Sequence, residues 1–187
     1  LCEPHNEGPD IREIPVFQRP ADPRNAPMKV ETSPSDDIHT YSMVERSERF
    51  DFEIRDQSLR VPIALPHRHE HFQIIANQAG NAPHLLGGRR VESVQGSIVF
   101  VLPYRVHLAM VEPGTRYQLI NFSSKFLRPD FELSPLEMEE ASIVKYPELT
   151  PFIYQGWFDF VFDEKEFAYI ETLLQRVHDA HNIRRLG

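Results

Sequence analysis

Leu65-Pro66-His67-Arg68-His69-Glu70-His71-Phe72-Gln73-Ile74-Ile75-Ala76 is the stretch whose reading decides the fold. Side chains at alternate positions of an extended strand share a face, so His67, His69 and His71 stand in a row with Arg68, Glu70 and Phe72 behind them. A further histidine, His107, follows an apolar run at Ser97–Leu102 and joins that row only if the intervening chain folds back. Gly80-Asn81, Gly87-Gly88 and Gln95-Gly96 break the apolar stretches at intervals of about eight residues, the spacing of short antiparallel strands in a small sandwich or barrel.

Working outward, His39–Val44, Phe50–Arg55 and Leu59–Leu65 alternate apolar and polar residues and read as strands, the last with Pro62 suited to an edge. Downstream, Pro83–Leu86 and Arg89–Val94 form a hairpin across Gly87-Gly88, where glycine accepts positive φ. Ser97–Leu102, His107–Val111 and Tyr117–Phe122 complete the block, and the period-two pattern ends near Phe126. The architecture expected is mainly β with C-terminal helices: an antiparallel β-sandwich or barrel with an interior pocket, then a helical part. Pro135–Ala141 reads as a short helical turn, and the aromatic run Trp157–Phe162 as packing for a helix on the sheet. Asp163 with Glu166 resembles a capping box that starts a helix running to about Asn182. Its stripe of Phe167, Ile170, Leu174 and Val177, with Leu173 beside it, fits either a core-facing helix or a dimer seam.

The remaining composition sets bounds. Residues 1–37 are rich in proline and acid and poor in aliphatics, and read as an extended or disordered arm. With 187 residues there is room for one sizeable core. A net charge of −8 opposes tight binding of nucleic acid by this segment alone. The single cysteine, Cys2, rules out an internal disulfide and fits a reducing compartment. No apolar run reaches the roughly 18 residues that span a bilayer, which predicts a soluble, cytoplasmic protein with no membrane partner. The chain begins at Leu1 rather than Met and stops at Gly187, and reads as a piece of a longer protein.

His67-x-His69, then Gln73, Gly80, Gly96, Pro103 and His107, resembles the two-part cupin motif, in which histidines and a carboxylate on one strand meet a further histidine from a neighbour. Gln73 stands where metal-binding cupins carry glutamate, and Pro103-Tyr104-Arg105-Val106-His107 lacks the usual glycine and is one residue tighter. HRHEHFQII, LLGGRRVESVQGSIVFVLPYRVH and YQLINFSSKFL together resemble the N-terminal sensor domain of AraC-type transcriptional regulators, over Ile38 to about His181. The resemblance implies a cupin-like β-barrel (double-stranded β-helix or jelly roll) at 38–126. It also implies a helical dimerisation part at 127–187 that ends before a helix-turn-helix DNA-binding domain absent from this chain.

The site expected from this comprises His67, His69, His71, Gln73 and His107 around a small-molecule effector. Three neutral imidazoles, His67, His69 and His107, also suffice for one divalent metal (Zn, Ni or Fe), so a metal site, a polar ligand pocket and plain structural histidines all stand open. Two functions follow: a small-molecule-sensing domain that forms a homodimer through Phe167, Ile170, Leu174 and Val177, or a metal-dependent cupin enzyme such as a dioxygenase or isomerase. The sensor is preferred and no catalytic residue is assigned, because an enzyme needs an acid–base group beside its substrate, and Glu70 falls on the opposite face.

Overall fold

The computed structural model describes residues 38–47, 51–58 and 60–186. The arm read over residues 1–37 lies outside the described residues. The strands are β1 (Thr40–Tyr41), β2 (Phe52–Asp56), β3 (Arg68–His69), β4 (Phe72–Ala79), β5 (His84–Leu86), β6 (Arg89–Val91), β7 (Ser97–Val101), β8 (His107–Ala109), β9 (Arg116–Phe122) and β10 (Phe160–Val161). The helices are α1 (Ser124–Leu127), α2 (Pro135–Glu139), α3 (Thr150–Tyr154) and α4 (Glu164–Leu186). As expected, the protein is mainly β, with its helices after the strand block.

Strand alternation builds the layers. β4 lies at the centre of a five-stranded sheet of order β10-β7-β4-β9-β2, and a three-stranded sheet of order β6-β5-β8 accompanies it. Gln73, Ile75 and Asn77 of β4 point to one face, opposite Asn121, Leu119 and Tyr117 of β9. Ile75, Val99, Val101, Tyr117 and Leu119 then meet Leu86 and Val91 from the smaller sheet, so an apolar layer joins the two. The other face of β4 is covered by helices. Phe72, fully buried, packs at ring-centroid distances of 5.4 Å from Phe122 and 5.0 Å from Phe152 of α3. Ile54, Ala76 and Ile98 lie beneath Phe167 and Leu174 of α4.

The turns follow their local chemistry. Gly87 and Gly88 take φ of +56° and +83°, the paired positive values of a two-residue hairpin. At Gly96, φ is +85° and an added Cβ would stand 2.9 Å from the Phe162 carbonyl oxygen, so only glycine fits where this turn meets the chain entering α4. The capping box of α4 is formed: Glu166 N–H donates to Asp163 Oδ1 at 2.8 Å and Asp163 N–H to Glu166 Oε2 at 3.2 Å. Gln155 closes part of the β7 edge, accepting from Phe100 N–H at 2.9 Å and donating to the Phe158 carbonyl at 3.1 Å.

Three expectations are corrected. The described part of Leu59–Leu65 forms no strand: Pro62 and Pro66 remove two donors, and Val61 is 91% exposed. Trp157–Phe162 packs a helix only in part: Phe160 and Phe162 join the cluster beneath α4, whereas Phe160 and Val161 also pair with β7 as an edge strand and Trp157 and Phe158 are exposed. Helix α4 continues beyond Asn182 to Leu186. The stripe on α4 is divided, with Phe167 and Leu174 buried in the subunit's own core, Ile170 packed beside them, and Val177 40% exposed. Leu174→Glu is therefore expected to cost about 3–5 kcal/mol in urea unfolding, because it removes a core side chain and buries an unpaired charge. An unchanged midpoint would show that α4 does not rest on the sheet.

Candidate functional site

The histidine row is brought together, with a break. β3 ends at His69 and β4 starts at Phe72, yet His67, His69, His71 and Gln73 keep the same parity and all are buried. His67 and His107 exchange backbone hydrogen bonds of 3.0 and 2.8 Å, which sets their rings 4.3 Å apart. His107 also lies 4.8 Å from His69, whose ring stacks on His71 at 4.4 Å and 14°. Tyr104 supplies the backbone bend that glycine makes in the usual motif: its φ is +60°, and its N–H donates to the His69 carbonyl at 2.7 Å.

Hydrogen bonding fixes the tautomers. A backbone carbonyl only accepts, so Nδ1 of His67, His69 and His107 carries the proton, facing the carbonyls of Leu65 (3.0 Å), His71 (2.6 Å) and Arg105 (3.2 Å). Their Nε2 lone pairs are left available, the tautomer that a metal requires. Even so, among the described residues no group of three or more His, Cys, Asp or Glu side chains is disposed to hold a metal ion. The rings pack against one another instead. His84, which sequence reasoning passed over, is fully buried from β5, and neither of its ring nitrogens has a hydrogen-bond partner among the described residues.

A line of polar side chains crosses the sheet beside the histidines. Gln73 Nε2 donates to Asn121 Oδ1 at 2.9 Å, and Asn121 Nδ2 donates to Glu53 Oε2 at 3.0 Å. Glu53 receives Arg55 Nη1 at 3.1 Å on both oxygens, while Arg55 Nε donates to Gln57 Oε1 at 2.8 Å. A buried carboxylate, Glu53, thus stands on β2, two strands from Gln73 with Asn121 of β9 between them, and is ion-paired with Arg55. The signal for it was the alternation Glu53, Arg55, Gln57 along β2, which puts all three on one face.

Between the sheets lies a cavity of about 220 Å³. Gln73, His67, His84 and His107 line it with Gln57 and Tyr117; Ile75, Ala109 and Leu119 supply apolar wall, and Arg46, Arg55 and the loop from Arg60 to Ile63 the rest. His69 and His71 are buried but do not line it. Burial holds the imidazoles neutral. It pushes His71 and His107 down to about 3 and His84 to about 4, with the charges of Arg46 and Arg55 adding to the effect at His71. His67 and His69 are lowered for the same first reason.

Residues 49–158 match the family model described as the AraC-like ligand binding domain. That is more than half of the chain, and the protein belongs to this family. No curated protein matches. Among solved structures, ToxT from Vibrio cholerae is similar at a TM-score of 0.37 and 10% identity, over 66% of this chain and 47% of ToxT. A cupin protein from Bacteroides fragilis aligns at a TM-score of 0.33 and 13% identity, over 44% of this chain and 70% of its own. A Cupin 2 conserved barrel domain protein from Salinispora arenicola gives 0.32 and 14%, over 66% and 96%.

Neutral buried imidazoles set a pH dependence. The unfolded chain takes up protons near the ordinary histidine value of about 6.5, whereas His71, His84 and His107 resist until about 3 to 4. The unfolded state therefore binds more protons across this window, and stability falls as pH falls. Each of these histidines contributes a loss approaching ~1.4 kcal/mol per pH unit below about pH 6. Urea midpoints measured between about pH 7 and about pH 5 are expected to drop steeply, and His84→Leu to reduce the slope by about one proton. A flat profile would mean that these rings are accessible to protons in the folded protein.

Proposed function

We propose that this chain is the small-molecule-sensing and dimerisation domain of an AraC-type transcription regulator, acting on DNA through a domain outside this chain. The observation that carries it is the polar-lined cavity between the sheets, within a chain of the AraC-like ligand binding family. The cavity is built for binding rather than turnover. No carboxylate among the described residues lines it; Glu53, behind the wall, is engaged by Arg55 and Asn121, so the titratable groups at the cavity besides its arginines and Tyr117 are neutral imidazoles. This weighs against the cupin-enzyme alternative.

The sensing reading is tested by filling the cavity. Ala109→Trp on β8 is expected to retain the strand signal in circular dichroism while abolishing the effector-dependent change in reporter transcription by the whole regulator. A response that survives would move the effector site elsewhere. For dimerisation, Phe167 and Leu174 are occupied within the subunit, so Val177 and the neighbouring Leu173, 39% exposed, are the residues we assign to contact with a second copy. Val177→Glu is expected to halve the mass seen by light scattering without changing the melting midpoint, and a wild-type monomer at tens of micromolar would overturn the pairing.

A divalent metal on His67, His69 and His107 is the second reading, favoured by their shared tautomer. Metal analysis of protein purified without a nickel column separates the two. Near-stoichiometric zinc, nickel or iron supports the metal; a ratio near zero that added zinc does not raise supports the polar pocket.

A further inference from the structure

The cavity carries an imbalance of charge that points to the chemistry of its occupant. Arg46, Arg55 and Arg60 line it, and among the described residues no aspartate or glutamate does. Arg55 is balanced by Glu53 behind the wall, at 3.1 Å. Arg46 is not. Its guanidinium lies 4.2 Å over the Tyr41 ring, and its Nε is buried without a hydrogen-bond partner among the described residues. The adjacent acid, Glu45, is engaged by the Ser42 hydroxyl at 3.0 Å and stands 3.9 Å from His39. Burial first, then the nearby charge of Arg55, lowers the Arg46 guanidinium below its ordinary value, and the favourable fields of Tyr41, Glu53 and Glu45 do not offset them. A partly desolvated guanidinium facing a cavity, with no carboxylate bound to it, is costly for the empty protein and well suited to an incoming anion.

Size and wall narrow the class. At about 220 Å³ the cavity falls below the roughly 300–1,000 Å³ of drug-sized pockets, and equals about seven waters at ~30 Å³ each. A volume of this size favours a compact ligand over a nucleotide or a long acyl chain. Ile75, Ala109 and Leu119 offer an apolar wall to the body of a ligand.

Resting on the sensing reading above, we infer that the effector is a compact organic monocarboxylate, its carboxylate received by Arg46 and its body lying against the Ile75–Leu119 wall. The probes are carboxylates from acetate to octanoate together with benzoate, the matched uncharged amides, and palmitate. Each is titrated by calorimetry and melting shift into the 187-residue chain and into its Arg46→Gln and Arg90→Gln variants. At least one compact acid is expected to bind and raise the melting midpoint. Its amide should bind at least tenfold more weakly, and Arg46→Gln should weaken the acid by at least tenfold while leaving amide binding unchanged and the ligand-free midpoint no lower than that of wild type. Arg90→Gln, exposed on β6, should behave as wild type.

Several outcomes overturn the inference: equal binding of acid and amide, an Arg46→Gln variant that binds the acid as well as wild type, tighter binding of palmitate than of any compact acid, or no binding by any acid at millimolar concentration. Binding of amides alone, lost in Ala109→Trp, would sink the acid inference yet keep the sensing reading. Should Arg46→Gln lower the ligand-free midpoint, Arg46→Lys decides: it keeps the charge but not the fork, and is expected to retain part of the affinity for acid while leaving amide binding unchanged.

Discussion

The paired backbone hydrogen bonds between His67 and His107 are the rung on which the rest of the architecture hangs. They join the chain entering β4, at the centre of the larger sheet, to β8 at the edge of the smaller one. Once this rung is made, the parity of each strand decides what faces inward. Gln73, Ile75, Tyr117 and Leu119 line the cavity, and Phe72, Ile74 and Phe122 are committed to the opposite side beneath the helices. A slip of one residue would drive phenylalanine into the cavity and glutamine against α3, so the aromatic cluster around Phe72 enforces the same register from behind.

Polarity is arranged by depth. The imidazoles nearest the rung are neutral and mutually packed, Glu53 and Arg55 compensate each other, and Arg46 and Arg60 bring positive charge to the cavity with no ion pair among the described residues. This contrasts with the chain as a whole, which carries −8. An acidic exterior around a basic interior disfavours nonspecific capture of phosphate polymers at the surface, while a small anion that reaches the cavity meets a low-dielectric wall in which the guanidinium field is strong.

Much of the β block was legible because its signals are local. Alternating residues in β4, the glycine pair at Gly87-Gly88 and the Asp163–Glu166 capping box each carry their structural consequence within a few residues. The segment before His67 misled because Val61, Ile63 and Leu65 alternate as a strand does, while Pro62 and Pro66 deny it a ladder and leave it at the cavity mouth. The stripe on α4 was visible, but periodicity reports a face and not what covers it; the sheet takes Phe167 and Leu174. Of the site, the histidine row and Gln73 could be read, whereas Arg46 and Arg55 could not be placed beside them. Arg55 is placed by the pairing of β2 with β9 and Arg46 by the turn that follows β1, which pairs with β3; no local pattern contains either register.

The line Gln73–Asn121–Glu53–Arg55–Gln57 has a consequence for how this protein can diverge. Replacing any inner member alone strands a buried partner, most severely the arginine if Glu53 is lost, so single steps there are penalised and viable changes must come in pairs. Arg46 and Arg60 lie outside that chain of dependence, on segments without ladder bonds of their own. Single substitutions are therefore penalised on the floor and tolerated at the rim, where a new effector preference can arise one step at a time.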